Sequence, residues 1–491
     1  MNTIGRKINK EIIKNASISF LLAFVFILVF STSTTILGTS FSLDSAIFQL
    51  IGKYWKEGVI PYTGLWDSKG PMIYFINALG YFLTNSNTGV FLIQIISLSI
   101  TIYYIYSFFR LNFTEKTSWL LSLIALLGLS NCYESGNLVE EYLLPILVSS
   151  FFYMYKWTDT AFVKKDYNHS LFFAFLYGLV LAFSLLTRLT NAIGVCIGVF
   201  IIVLTLLLTR NWKNLFLCAL SFVCGFCTLV LPFFIYFFLN GALYDMWYGS
   251  VLYNIEYVTN SSNTIHESLY ALLSHLLAYS NNFFLFFISI CVVLFNKERR
   301  LVGFFWLCVS CITYLYFNFT FKYSHYSIIA LPYLCIGIIE LKFILDSSKN
   351  ILIKKSGYHL LNSFVLLIIL GSSFQVYQVV TSKKDDLLDY KYLLYEIPEH
   401  DLDSFVGYNT EAYFYLKLNM KPCYRFFCIQ DWISSNGASI HSVLKETFEK
   451  GNAKWILVKS SGDICGIQDI LDHRYLLFDK KNDLLLYRLN E

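Results

Sequence analysis

Three charged side chains that could act on a substrate lie near the start of a chain that is otherwise strongly apolar. Asp67 and Lys69 occur in the segment LWDSKGPMIYF, and Asp44 precedes it. A carboxylate can serve as a general base or hold a divalent cation, and an ammonium group can bind a phosphate. Simpler roles also fit the spacing, because Asp44 is of a type that caps helices and Asp67 could form a turn with Lys69.

Further ionisable residues follow at the ends of apolar segments. Candidates for the same chemistry are Glu140 and Glu141 in NLVEEYLLP, Arg188 in LLTRLTNA, and Lys322 and His325 in FKYSHYS. The two glutamates also suit the first turn of a helix, and because they are adjacent, at most one of them need face a common cavity. Arg188 could instead extend to lipid headgroups, and His325 could be an interfacial histidine without a chemical role.

The composition predicts the elements that position these residues. Of 491 residues, 56% are hydrophobic and only 14% are charged, whereas soluble proteins carry about 25% charged residues. Apolar segments long enough to cross a membrane as helices recur along the chain. The predicted fold class is therefore a polytopic α-helical membrane protein with about eleven transmembrane helices. The predicted spans are 17–38, 89–109, 118–133, 141–157, 170–187, 191–209, 215–239, 282–296, 301–317, 326–345 and 358–380.

Lysine and arginine residues concentrate in alternate loops between these spans. The N-terminal segment 6–14 and the loops around 210–213 and 297–300 are the clearest examples. Because basic loops stay in the cytoplasm, this pattern places the N-terminus inside the cell, and an odd number of spans places everything after residue 380 outside. The chain is thus predicted to be a multi-pass protein of the cell membrane. The candidate residues all fall on the extracytoplasmic side, where their gathering points to a site.

Two domains are predicted. Residues 1–380 form the transmembrane domain, and its outer loop 39–88 holds two surface helices, DSAIFQLIGKYWKEG and GPMIYFINALGYFL. Residues 381–491 have an ordinary charge content and form a small extracytoplasmic α/β domain. Its predicted strands are SFVG, KWILVKS and the pair in RYLLFDKKNDLLLYRL, and its predicted helix is SIHSVLKETFEKG.

Several other kinds of chemistry are not indicated. The twelve cysteines lie mostly inside apolar segments, and no pair of them has the spacing of a metal site with a histidine partner. The sequence contains no glycine-rich phosphate loop, no Walker-type motif and no basic stripe of the kind that binds nucleic acid. Membrane lipids are the expected surroundings, and nucleic acid is not an expected partner.

The order of motifs resembles a known family. An early Asp in the first outer loop is followed by G-x-x-P-Y-x-x-x-x-D-x-K-G-P-x-x-Y, an acidic pair and H-Y-x-x-x-x-x-P. This order resembles bacterial membrane glycosyltransferases of the GT-C superfamily, relatives of protein O-mannosyltransferases and lipid A aminoarabinose transferases. The resemblance covers the membrane portion and, more loosely, the C-terminal domain.

The resemblance implies a transferase that takes a sugar from a polyprenyl-phosphate-linked donor and works on the extracytoplasmic face. The acceptor would be an envelope glycan, a glycolipid or a protein. Asp44 would be the general base or the group that orients the acceptor, with Glu140 or Glu141 as a second acidic residue. Lys69 would approach the donor phosphate, and His325 would lie near the lipid headgroup.

Other residues complete the predicted substrate-binding set, and the metal stays open. Tyr62 and Asp67 belong to the loop motif, and Arg188 and Lys322 supply further positive charge for the sugar or the lipid phosphate. No cofactor is certain. Many relatives have two adjacent acids in the first loop, whereas here Asp44 is followed by Ser45, so a divalent cation such as Mg²⁺ or Mn²⁺ is neither assigned nor excluded.

Two alternatives belong to other classes. A flippase or transporter of lipid-linked glycans would show internal repeats and broken helices, and the polar residues here gather at one end of the spans instead. A polysaccharide polymerase or ligase would use arginine-rich outer loops, and before residue 381 Arg188 is the one arginine on the predicted outer side.

Overall fold

The structure is a computed structural model. It describes residues 3–38, 40–260, 280–320, 323–348, 351–381, 387–460 and 466–490. The helices are α1 (Thr3–Phe30), α2 (Leu43–Lys56), α3 (Pro71–Thr84), α4 (Asn87–Phe109), α5 (Glu115–Ser130), α6 (Val139–Phe162), α7 (Leu171–Leu185), α8 (Ile193–Leu208), α9 (Trp212–Leu239), α10 (Leu243–Trp247), α11 (Tyr253–Asn260), α12 (Ser280–Phe295), α13 (Arg300–Thr320), α14 (Leu331–Ser347), α15 (Ile351–Thr381), α16 (Leu388–Tyr395), α17 (Tyr413–Lys417), α18 (Gln430–Asn436), α19 (Ala438–Glu449) and α20 (Gln468–Arg474). The strands are β1 (Phe405–Tyr408), β2 (Trp455–Lys459), β3 (Tyr475–Lys481) and β4 (Leu484–Leu489).

Every predicted span falls on a helix, and the prediction of a multi-pass helical membrane protein is confirmed. In the described part of the chain, seven helices are long and apolar enough to cross a membrane. The other predicted spans correspond to α5, α7 and α12, which are shorter, and to α6, which carries charged residues at both ends. The first helix ends at Phe30, earlier than the predicted residue 38, because the polar segment that follows bonds to other parts of the chain.

The chain divides into two compact units. The first unit comprises Met1–Leu37, Phe91–Pro232 and Ile265–Ser382, and the second comprises Gly38–Val90, Phe233–Thr264 and Lys383–Glu491. These units are defined by contacts between residues, and the second combines three separate segments of the chain. The predicted domain boundary at residue 380 was based on charge content and stays a prediction.

In the first unit, α6 is the central helix and packs against α7, α8, α13 and α14. The segment Ser324–Ser347, which consists of a short 3₁₀ helix and α14, is largely buried among its neighbours. The apolar α15 is largely exposed. An apolar helix with an exposed surface is expected where lipid is the surrounding medium.

A buried ionic network lies at the C-terminal end of α6. The guanidinium group of Arg299 donates to both carboxylate oxygens of Glu340, at 2.6 and 3.3 Å, and to Asp159 Oδ1 at 2.7 Å. The hydroxyl of Tyr155 donates to Glu340 Oε1 at 2.8 Å. Glu340 is 1% exposed, so Arg299 is what compensates its charge.

Removing Arg299 is expected to destabilise the first unit strongly. Arg299→Met leaves the buried Glu340 carboxylate without its cation, a loss of about 3–5 kcal/mol in the free energy of unfolding. Adding Glu340→Met should restore most of that stability, because the unpaired charge is then gone. Thermal unfolding of the purified protein measures both, with the exposed Lys213→Met as control. Equal melting temperatures for Arg299→Met and Lys213→Met would contradict the assignment.

In the second unit, α2 and α3 pack against each other at close range. A Cβ added at Gly52 would lie 2.5 Å from the Cβ of Asn77, so only glycine allows this approach. Pro71 begins α3 at its first turn, as predicted. The other face of α3 exposes Phe75, Leu79 and Phe82, as expected of a helix at a membrane surface.

The strands of the second unit form one four-stranded sheet in the order β1-β2-β4-β3. β1 and β2 are parallel, and the other two pairs are antiparallel. All four strands and α19 coincide with the segments predicted from the sequence. The adjoining helix α17 packs on α2, so the C-terminal region and the loop 39–88 share one core within this unit.

Candidate active site

Two candidate residues of the second unit, Asp67 and Lys69, lie in the loop between α2 and α3, residues 57–70, which we call the α2–α3 loop. Tyr74, in the first turn of α3, donates its hydroxyl hydrogen to Asp67 Oδ2 at 2.7 Å, and the same hydroxyl accepts from the backbone N–H of Lys69 at 3.1 Å. One tyrosine therefore sets the positions of both Asp67 and Lys69. Its spacing from them follows from the D-x-K-G-P-x-x-Y motif.

Buried Tyr62 also holds the α2–α3 loop in place. Its hydroxyl donates to the backbone oxygen of Lys69 at 2.7 Å, and its ring packs against Tyr74 and Phe237. Its backbone is left-handed, with φ of 70°, an unfavourable conformation for a tyrosine that the surrounding contacts must stabilise. Tyr62 is fully buried, which suits a role in positioning Lys69.

Two other segments of the second unit hold the α2–α3 loop. Asn254 of α11 donates to the backbone oxygen of Ser68 at 2.7 Å. The backbone N–H of Trp66 donates to the backbone oxygen of Arg425 at 2.9 Å, and the Trp66 ring contacts Tyr253. The loop that carries Asp67 and Lys69 is thus fixed by the C-terminal region and by α11.

Asp44 lies in the first turn of α2 and does not cap it. The cap is Ser42, whose side chain accepts from the backbone N–H of Ser45, so the capping role considered for Asp44 is wrong. The physical reason is that α2 begins at Leu43, one residue before Asp44, and its capping position falls on Ser42. Asp44 is partly exposed.

The negative charge of Asp44 acts on Asp67 through space. Burial raises the pKa of Asp67 above its ordinary value of 3.8, and the negative charge of Asp44 raises it further. The positive charge of Lys69 and the hydrogen bond from Tyr74 act in the opposite direction without cancelling the rise. The structure therefore places Asp44, which is distant in sequence, within electrostatic reach of Asp67, the neighbour of Lys69 in the loop motif.

In the first unit, Glu140 and Arg188 form a second cluster. Arg188 Nη1 donates to Glu140 Oε1 at 3.3 Å, and Asn191 Nδ2 donates to the same oxygen at 3.2 Å. The guanidinium carbon lies 3.2 Å from the centre of the Tyr326 ring, a cation–π contact. Glu140 is 2% exposed and the Arg188 side chain 19%, so the arginine side chain stays partly accessible.

Glu141 points into a different network. Its carboxylate accepts from Gln94 Nε2 at 3.0 Å, from the backbone N–H groups of Asn137 and Leu138 at 3.0 and 3.3 Å, and from the Tyr133 hydroxyl. These bonds cap α6 and hold the loop before it. The two adjacent glutamates thus have separate surroundings, and Glu140 is the one placed beside Arg188.

His325 is paired with Glu134. Its ring Nδ1 donates to Glu134 Oε2 at 2.7 Å, and its backbone N–H donates to Oε1 at 3.1 Å. The Ser324 hydroxyl donates to the same carboxylate. Glu134 stands in a run of left-handed residues that ends at Asn137, so this loop stores conformational strain next to the histidine.

The Glu134 pairing makes stability depend on pH. Burial acts to raise the pKa of Glu134, but the bonds from His325 and Ser324 outweigh it and leave the pKa below 4.5. A carboxyl whose pKa is lower in the folded state stabilises the protein above its unfolded pKa, and this contribution is lost as the pH falls through the folded pKa.

We expect Glu134→Gln to lower the melting temperature at neutral pH. Below about pH 4.5 the melting temperature of the variant should decrease less with falling pH than that of the wild type. Melting temperatures of both proteins from pH 3 to pH 7 measure this, with exposed Glu57→Gln as control. Parallel pH curves for the wild type and Glu134→Gln would show that the pair does not contribute.

Two predictions stay outside these observations. Lys322 lies outside the described residues.

Among the described residues, no group of three or more His, Cys, Asp or Glu side chains could hold a metal ion. The Asp44–Asp67 pair would need further oxygen ligands and already has the positive charge of Lys69 beside Asp67, so this donor set does not fit a divalent cation.

Sequence reasoning missed several partners. Asn191 and Tyr326 adjoin predicted residues, but nothing in their spacing shows that they meet Glu140 and Arg188. Asn254 is distant in sequence from the α2–α3 loop. Tyr74 was recoverable, because it belongs to the same motif as Asp67 and Lys69.

The apolar helices of the described part of the chain and the small sheet make this a polytopic helical membrane protein, as predicted, and its fold resembles that of ArnT. ArnT from Cupriavidus metallidurans in the apo state superposes with a TM-score of 0.58 and 11% identity over 98% of each chain. ArnT from the same organism bound to undecaprenyl phosphate gives 0.59 and 11%, over 97% of this chain and 98% of that one. At this identity the likeness shows the fold. No family model and no curated protein matches the chain by sequence.

Proposed function

We propose that this protein is a glycosyltransferase that moves a sugar from a polyprenyl-phosphate-linked donor to an acceptor of the cell envelope. The observation that carries the proposal is the cluster of Asp44, Asp67 and Lys69 in the second unit, on a fold shared with ArnT. ArnT has been crystallised with undecaprenyl phosphate, which supports a donor of that class.

Asp44 is the proposed general base. It is partly exposed, and it is free of the capping role that Ser42 fills. In the reaction, an acceptor hydroxyl oxygen bonds to C1 of the donor sugar while the bond from C1 to the phosphate oxygen breaks. Asp44 takes the hydroxyl proton, and the bonding electrons leave with the polyprenyl phosphate.

Lys69 is the proposed partner of the departing phosphate. Tyr74 contacts its backbone N–H and Tyr62 its backbone oxygen, so little reorganisation is needed when negative charge develops on the phosphate. Asp67 and Tyr62 then act as positioning residues. Asp67 does so through Tyr74, whose hydroxyl donates to its carboxylate and accepts from the backbone N–H of Lys69.

The first unit has a proposed binding role of its own. Glu140, itself held by Asn191, orients the guanidinium group of Arg188, and this partly accessible cation suits an anionic lipid headgroup. His325, held by Glu134, lies next in sequence to the Tyr326 ring under Arg188. Glu141 acts as a structural cap.

The proposed setting is the extracytoplasmic face, with the N-terminus in the cytoplasm. The distribution of basic residues supports this orientation. Added protease should therefore cleave within residues 387–490 in intact cells stripped of their wall. Protection of that region until the membrane is opened would contradict it.

A transfer assay tests the proposed function. Purified protein in liposomes, given a radiolabelled polyprenyl-phosphate sugar and an envelope extract, should release polyprenyl phosphate and label an acceptor. Movement of the labelled donor across the bilayer without any labelled acceptor would overturn the proposal in favour of a flippase.

A further inference from the structure

Basic side chains from two parts of the second unit lie along α2. The Lys417 ammonium is 4.9 Å from the centre of the Phe41 ring, just before α2 begins. The ammonium groups of Lys53 and Lys421 are 4.9 and 5.9 Å from the centre of the Tyr54 ring, in the last turns of α2. We call Lys53, Lys417 and Lys421 the lysine strip. Phe41 and Tyr54, the rings that these lysines contact, are 13 residues apart in the sequence, which corresponds to roughly 20 Å along a helix.

The charges of the strip lack carboxylate partners. Within the described residues, no Asp or Glu oxygen lies within 4.0 Å of any of the three ammonium groups. Other lysines of the same unit are paired, such as Lys445 with Asp469 at 2.9 Å and Lys454 with Asp401 at 2.8 Å. Among the described residues, the lysine strip is therefore a group of ammonium groups without a close ion pair.

Lys53 shows this most clearly. It is partly buried, and its ammonium donates to a neutral amide, Asn419 Oδ1, at 2.5 Å. Burial lowers the pKa of Lys53, and the more distant charge of Glu57 acts against that fall. An ammonium group that has lost part of its hydration to neutral neighbours gains from an anion supplied by a ligand.

The strip leads toward the proposed base. Phe41, beside Lys417, lies three residues before Asp44 in the sequence, whereas Tyr54 is at the far end of α2. A ligand with charges spaced along its length could contact both ends of the strip. Its terminus would then lie at the N-terminal end of α2, where Asp44 is.

We propose that the lysine strip binds a linear polyanion with repeating phosphodiester groups, and that this polymer is the acceptor whose terminal hydroxyl reaches Asp44. The inference rests on the proposed function and names its acceptor class. The length of the strip favours a polymer over a single headgroup. Lysines, as mobile point charges, suit spaced phosphates better than one planar bidentate contact. Lys417 and Lys421 also belong to the C-terminal region, where no described helix qualifies as a membrane span.

The test is a binding measurement without donor, so that it does not depend on turnover. The probe is fluorescently labelled poly(glycerol phosphate), titrated with the full-length protein in detergent. Lys53→Gln/Lys417→Gln/Lys421→Gln should weaken binding by at least about tenfold and reduce its salt dependence. A control of equal charge, Lys391→Gln/Lys480→Gln/Lys481→Gln, changes exposed lysines elsewhere in the unit and should bind as the wild type does. The pair Lys417→Gln/Lys421→Gln, both exposed, guards against misfolding caused by the partly buried Lys53.

Three results would overturn the proposal. The first is equal weakening of polymer binding in both triple variants, and the second is unchanged polymer binding in the strip variant. The third comes from a parallel titration with phosphatidylglycerol vesicles: if the strip variant loses binding to the vesicles and not to the polymer, lipid is the partner. The outcome is separable from that of the proposed function. Sugar transfer to a neutral acceptor without polymer binding would contradict the role of the lysine strip and leave the transferase standing. Polymer binding without any transfer would contradict the transferase and leave the polymer as a ligand of the strip.

Discussion

Asp44→Asn is expected to reduce sugar transfer by about 10²–10⁴-fold while the protein still folds and binds its donor. The amide has the shape of the carboxylate but cannot take the proton of an acceptor hydroxyl. Because Ser42 caps α2, the substitution removes no capping bond. The rate is measured with saturating labelled donor, and the melting temperature is measured on the same preparation.

Asp67→Asn is the matched control for this change. It alters a carboxylate of the same loop cluster, but the amide oxygen can still accept from Tyr74. We expect a much smaller loss of rate, because Asp67 is proposed to position Lys69 rather than to move a proton. If Asp44→Asn kept full turnover, or if Asp67→Asn cost as much, the assignment of the base would have to change.

Lys69→Met is expected to lower the rate constant of transfer by about 10²–10³-fold, the size of effect seen when one preorganised charge-stabilising group is lost. Methionine keeps the length and the apolar stem of lysine and removes the ammonium group. The bonds from the loop backbone to Tyr62 and Tyr74 should remain, so the loop keeps its shape.

Two comparisons decide whether charge or packing is responsible. Lys56→Met changes an exposed lysine of α2 in the same unit and should leave the rate unchanged. Lys69→Arg should recover part of the activity, since the positive charge returns with a different geometry. A rate for Lys69→Met within about twofold of that for Lys56→Met would remove Lys69 from the mechanism.

Much of the fold was predictable because its signals are local. Apolar segments of sufficient length marked the spans, and alternating and helical patterns marked the strands and α19. The end of α1 was not predictable, because it coincides with a hydrogen bond from the Ser31 hydroxyl to Gln94, a residue distant in sequence. The cap of α2 is Ser42, two residues before Asp44, and the sequence could not choose between them because both residue types cap helices.

The site was predictable only as a set of residue types. The motif placed Asp67, Lys69 and Tyr74 together, since they are neighbours in sequence. It could not distinguish Glu140 from Glu141, because that difference depends on Arg188 on one side and Gln94 on the other. The pairing of His325 with Glu134 likewise joins loops that are far apart in the chain.

The two arginine clusters of the first unit hold α6 at both ends, and this sets a length scale for the surrounding lipid. Glu140 and Asp159 are 19 residues apart in the sequence, which corresponds to roughly 28 Å along a helix. That is close to the hydrocarbon thickness of a bilayer, about 30 Å. A helix fixed to its neighbours at both ends cannot tilt on its own to suit a thinner or thicker membrane. Since α6 is the central helix of the unit, we expect a bilayer of another thickness to be met by the unit as a whole, through its tilt or through stretching and compression of the surrounding lipids, so acyl-chain length becomes a condition of its working environment.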